Sequence, residues 1–161
     1  MKLGLVIREL HRSETSLARF LYELSDRHRV EHEVYHVARD LAGWSREHVR
    51  ELAEAGHRYD LTLRPAAPRS SGLLAPARRK ASELTGRRAE PGLLLLADLR
   101  RLHRRAAGVS LDWELLGQGA QAVKDRDLLD LAGRCHPQTS RQLKWSDAML
   151  KTLSPQMLAA G

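Results

Sequence analysis

Four stretches of this chain repeat apolar residues at alternating steps of three and four, the period of one face of an α-helix. The first stripe reads Leu3, Ile7, Leu10, Glu14, Leu17, Leu21, Leu24, His28. The second reads Val34, Val37, Leu41, Trp44, His48, Leu52, Ala55. Continuing the first stripe would demand positions 31, 35 and 38. The face therefore slips by one residue, about 100° of helix. One straight helix cannot bury both stripes on the same side, which predicts a reversal near Arg29–Glu31 and an antiparallel pair. Gly56 is the expected C-terminal cap of the second helix.

The segment 58–91 has a different texture. Pro65, Pro68, Pro76 and Pro91 recur, with Ser70, Ser71 and Gly72 among them. Proline at that density forbids a long helix. A connection of about 30 residues is long for a compact domain, yet it can run the ~40 Å length of a 27-residue helix. Beyond it the third stripe runs Leu95, Leu99, Leu102, Ala106, Val109, Trp113, Leu116, Ala120, Val123. Asp125–Asp127 offers turn and N-cap chemistry. The fourth stripe runs Leu128, Leu131, Cys135, Gln138, Gln142, Trp145, Met149, Thr152, with a kink expected at Pro137.

The expected fold is all-α: a four-helix bundle with helices at about 3–28, 32–56, 92–124 and 127–153. Residues 1–154 form its single domain and 155–161 a loose tail. Joints that are short, long and short give the up-down-down-up order, with the long crossover between helices 2 and 3. Aromatic residues make up only 4% of the 161, which argues against an all-β alternative.

Charge is concentrated. The formal net charge is +7, and residues 61–105 alone hold 11 Lys/Arg against 3 acids. A local basic patch is the footprint of an acidic protein or nucleic-acid partner, with Arg78, Arg79, Lys80, Arg87 and Arg88 as candidate nucleic-acid-binding residues. No aromatic residues are interleaved there for base stacking. The alternative is a solvated basic surface of an Arg- and Ala-rich, bacterial-like composition. A single cysteine, Cys135, rules out an internal disulfide. No run of ~18 apolar residues is present, so no membrane partner is expected and a cytoplasmic location follows.

Polar residues interrupt the stripes at two informative places. Glu14 sits between Leu10 and Leu17 and so points inward; His48 lies one turn beyond Trp44. In this the chain resembles the ferritin-like superfamily, across residues 3–153. That resemblance implies a di-metal centre made from a Glu on each of two helices and a Glu-x-x-His on each of the other two. Here Trp44-Ser45-Arg46-Glu47-His48 keeps the His and replaces the Glu with Ser45. The fourth helix has Thr139 and Gln142 at the corresponding places. The third offers Val109 or Ser110, flanked by Asp112 and Glu114. Two of six ligands survive, Glu14 and His48, which marks a family member whose di-iron site is mostly lost. A single weaker ion is an alternative. So is a buried hydrogen-bonded Glu14–His48 pair with Thr139 and Gln142 beside it, a reading under which Glu14→Leu is tolerated or stabilising.

Other groups offer less. His32 and His36, with Glu33, share the spacing of a metal pair, and His28 precedes them by four, but they fall near a turn. Cys135 lies on the buried stripe and His136 points away from it, which suits a core thiol better than a nucleophile–base pair. The three tryptophans sit on three different stripes and read as core. The sequence thus leads to a non-catalytic accessory or interaction protein without a cofactor, pairing with a second copy of itself. The alternatives are a metal-binding, di-iron oxidoreductase holding iron or another divalent metal, and a nucleic-acid-binding protein using residues 61–105.

Overall fold

The slip of phase after Arg27 is where the chain turns back. The computed structural model describes residues 2–67 and 90–160. Within them α1 spans Leu3–Arg27 and α2 spans His32–Gly56. In the turn, the His28 N–H bonds the Leu24 carbonyl and the Glu31 N–H bonds the His28 carbonyl. A 3₁₀ turn, His57–Tyr59, ends α2. Pro91 opens α3, which spans Pro91–Ala122. Proline suits that position because its missing N–H has no partner in the first turn anyway. The last helix, α4, spans Arg126–Ala159. No strand occurs among the described residues, and no described helix is long and apolar enough to cross a membrane. Most of the expected crossover, including Arg78, Arg79, Lys80, Arg87 and Arg88, lies outside the described residues.

Contacts set the directions. His28, after the end of α1, meets Asp98 near the start of α3, while Leu3 lies against Gly119 near the end of α3. These helices are antiparallel. Arg58, after α2, meets Asp125 at the start of α4, and Gln142 meets Ser45 further along, so α2 and α4 are antiparallel too. The two hairpins pack most extensively, α1 on α3 next, and α2 on α4 least.

The core belongs mainly to α1 and α3. Ile7, Leu10, Leu17, Leu21 and Leu24 pack with Leu95, Leu99, Leu102, Trp113 and Leu116, all fully buried. On α3 the stripe buries as its spacing predicts, except for exposed Val123. On α2 and α4 the buried face is rotated from the expected one. Ala38, Ala42, Ser45 and Ala53 are buried on α2, whereas Val37, Trp44 and Ala55 are half-buried. On α4, Thr139 and Ser146 are buried, Gln138 and Trp145 half-buried, and Thr152 exposed. Small side chains let neighbouring helices approach closely, and the larger residues are displaced to the flank.

The last helix also corrects an expectation. The segment from Pro155 onward is no loose tail, because α4 continues to Ala159. Pro155 removes the hydrogen bond to the Lys151 carbonyl, but Lys151 is exposed and water can serve that carbonyl. Met157 lies against Gly92 at the start of α3, which docks the final turn. The helix is likewise continuous through Pro137, where the deprived carbonyl belongs to exposed Gly133.

Asp125 fastens the opposite end. Lys124 takes a left-handed φ of 61° to close α3, and the Asp125 carboxylate accepts the Leu128 N–H at 3.0 Å as the N-cap of α4. It also accepts from the Arg58 guanidinium at 3.0 Å and from the Tyr59 hydroxyl. Burial pushes the Tyr59 phenol up to about 12, helped by the Asp125 hydrogen bond and charge and opposed by Arg58. Asp125→Ala removes a cap and leaves a half-buried hydroxyl unpaired. Urea unfolding should show a loss of about 2 kcal/mol, and absorbance titration should show the Tyr59 phenol ionising at lower pH. An unchanged Tyr59 titration would contradict the assignment.

A buried polar layer between the helices

Glu14 and His48 are brought together, as the most deeply buried ionisable pair in the described structure. Leu10 and Leu17 carry Glu14 inward on α1, leaving it 0% exposed, and His48 on α2 is 1% exposed. The His48 Nδ1–H donates to Glu14 Oε1 at 2.8 Å. Trp113 on α3 donates its indole Nε1–H to the same oxygen at 2.7 Å, and its ring meets the imidazole edge-on at 5.6 Å. The other imidazole nitrogen, Nε2, lies 2.6 Å from Gln138 Oε1 on α4. With the Gln138 amide so oriented, both ring nitrogens face oxygen acceptors, and only the doubly protonated ring can donate to both.

The electrostatics agree. Burial pulls the His48 pKa down, but the adjacent Cys135 and the hydrogen-bonded, negatively charged Glu14 outweigh it and push it up to about 10. Burial pushes the Cys135 thiol up despite the opposing influence of His48, so the thiol keeps its proton at neutral pH. The charge that holds the imidazolium there is the Glu14 carboxylate. The layer therefore contains an ion pair of zero net charge.

This pair is one rung of a polar seam between α2 and α4. One rung along, Gln142 Nε2 donates to the Leu41 carbonyl and to Ser45 Oγ, both at 2.9 Å. In the other direction Glu51 accepts from Arg134 at 2.9 Å and from the Cys135 thiol at 3.5 Å. Two buried acceptors, Glu14 Oε2 and Gln142 Oε1, have no protein partner. Thr139 closes onto its own helix through the Cys135 carbonyl.

The donor set does not fit a di-metal centre. Such a centre needs several carboxylates and imidazoles converging at one level. At this level stand one carboxylate and one imidazole, bound to each other, among amide and hydroxyl groups. Ser110 is bonded to His136 at 2.9 Å. Asp112 is bonded to Ser13 at 2.9 Å, and Glu114 is exposed. Among the described residues no three His, Cys, Asp or Glu side chains gather as a ligand set. His32 and His36 are exposed, with stacked rings 6.4 Å apart.

His28 belongs elsewhere. Its Nε2 lies 2.7 Å from the buried Asp98 carboxylate, which also accepts from Arg27 at 3.1 Å. Sequence reasoning missed this cluster because Asp98 lies off the apolar stripe. It also took Trp113 as plain core, although an indole N–H on a stripe facing a buried acid is a ready donor.

The geometry revises the expected tolerance of Glu14→Leu. That change would strand the His48 and Trp113 donors in the core. Urea unfolding at neutral pH should show a loss of about 3–5 kcal/mol, with Glu14→Leu/His48→Leu recovering most of it. The folded-state pKa of His48 is raised, so its contribution is whole below about pH 6.5 and fades as pH rises through about 10. Wild-type stability should fall across that window by up to about 1.4 kcal/mol per unit, a slope the double variant lacks. A tolerated single substitution would contradict the pair.

No family model matches this chain, and no curated protein or solved structure gives a significant match. Its function is read from its own residues.

Proposed function

We propose that the chain is a ferritin-like bundle in topology whose interior has exchanged ion binding for a polar layer bonded mainly to itself. On this reading it is a non-catalytic accessory or interaction protein of the cytoplasm, pairing with a second copy of itself. The helix directions support that topology: α3 starts at the end of the bundle where α2 began. The observation that carries the reading is the state of Glu14 and His48. One Glu14 oxygen, Oε1, already accepts from the imidazole and the indole, at 2.8 and 2.7 Å, which leaves a single carboxylate oxygen, Oε2, at this level. A doubly protonated imidazole has no lone pair to offer a metal.

A second reading has one observation in its favour. Arg100 and Arg104 on α3 are both exposed and form no ion pair among the described residues. They extend the basic run of 61–105 onto an ordered helix, as a nucleic-acid surface would. That reading requires affinity that falls steeply with salt.

Metal analysis separates the metal-free bundle from the oxidoreductase alternative. Protein purified from iron-supplied cells should carry well under one iron per chain. About two irons per chain, the stoichiometry of an intact centre, would overturn the proposal.

A further inference from the structure

The solvent side of α3 differs from those of its neighbours. On α1 that side carries Arg8, Glu9, Arg12 and Arg19, and on α2 Arg39, Asp40, Glu47 and Arg50, all exposed. Charged faces of this kind belong in water. On α3 the residues opposite the buried stripe are Arg104, Gly108, Leu111, Leu115, Gln118 and Ala122, every one exposed. They repeat at steps of four and three, in the period of the core stripe but half a turn away. Leu111 and Leu115 stand 62% and 61% exposed. A scattered exposed leucine needs no explanation. Two on adjacent turns, in line with a glycine, make a continuous apolar strip of the kind that marks an interaction surface. A Cβ on Gly108 would meet nothing within 4 Å, so the strip contains a notch open from outside. A helix that is apolar on two opposite sides is suited to burial on both.

Charge is divided along the same helix. Its first half carries Arg100, Arg101, Arg104 and Arg105 with the acid Asp98, whereas from Ala106 to its end it carries Asp112 and Glu114 and no base. Asp98 is occupied by His28, Arg27 and Arg101, and Asp112 is bonded to Ser13. Arg100 and Arg104 before the leucines, and Glu114 beside them, are exposed and form no ion pair among the described residues. A parallel copy laid on this face would set arginine against arginine. An antiparallel copy sets the arginines of each against the acidic half of the other, and a twofold axis makes that match twice. The face is thus complementary to itself in one direction only.

We infer that the outer face of α3 is where two copies of this chain pair, antiparallel and about a twofold axis. The inference rests on the pairing proposed above and assigns it a surface. Leu111 of each copy enters the notch over the partner's Gly108. That register sets Arg104 level with the partner's Leu115, one residue along from the partner's Glu114 and within reach of a long guanidinium side chain.

Sedimentation equilibrium of the full chain tests it, with circular dichroism to check that each variant keeps its helices. The wild type should dimerise in the micromolar range. Leu111→Glu/Leu115→Glu, at exposed positions, should weaken the dimer by at least about 100-fold with helix content unchanged. Arg104→Glu and Glu114→Arg should each weaken it about tenfold. Arg104→Glu/Glu114→Arg should restore it, because the reversed charges of the two copies then meet each other. A wild-type dimer indifferent to the leucine substitutions, or a paired charge reversal that fails to recover, would overturn the inference and leave the pairing itself standing. A wild-type monomer, with the face covered instead by residues 68–89 or by a nucleic acid, would overturn both.

Discussion

Removing a carboxylate from water is tolerable only when donors replace the water, and the middle of this bundle is arranged around that requirement. Glu14 draws donors from two other helices, His48 from α2 and Trp113 from α3, and His48 reaches on to Gln138 of α4. One carboxylate oxygen thereby links three helices directly and the fourth through the imidazolium. Such a layer adds little net stability over an apolar core, because desolvation offsets the attraction. Its consequence is geometric. Sliding any helix by one turn would leave a buried charge or donor unmatched, so the layer selects one register.

The same device appears at both ends. Asp98 ties the end of α1 to the start of α3 through His28 and Arg27. Asp125 ties the end of α2 to the start of α4 through Arg58 and Tyr59. Three acids at three levels thus align the antiparallel helices, while leucines of α1 and α3 supply most of the apolar burial. The α2–α4 seam carries hydrogen bonds where a simpler bundle would carry leucines, and it packs far less extensively than either hairpin or than α1 on α3. This explains how two long helices remain in register there.

Much of the scaffold was legible in the sequence, for a definite reason. Leucine-rich stripes on α1 and α3 are unambiguous, and the one-residue phase slip located the first turn. Glu14 was legible because an acid between Leu10 and Leu17 has nowhere to go but inward. The faces of α2 and α4 were misjudged because hydrophobic periodicity ranks Val37 and Trp44 above Ala38 and Ser45, whereas close packing buries the smaller pair. The partners of Glu14 were only half visible. His48 lay on a stripe, but Trp113 and Gln138 become partners only when helices far apart in sequence are laid side by side. Asp98 and Asp125 stood off the stripes, and their partners came from the ends of other helices. The extent of α4 was hidden by Pro155, which ends a helix in isolation but not one whose last turn is docked by Met157 on Gly92.

The most direct test of the account is the protonation state of His48. Its ring nitrogens can be followed by ¹⁵N nuclear magnetic resonance in selectively labelled protein at pH 8, with and without added ferrous ion under anaerobic conditions. The account predicts two protonated nitrogens, as in an imidazolium, and a spectrum that ferrous ion leaves unchanged. A neutral ring at that pH, or a His48 resonance displaced by stoichiometric iron, would contradict it.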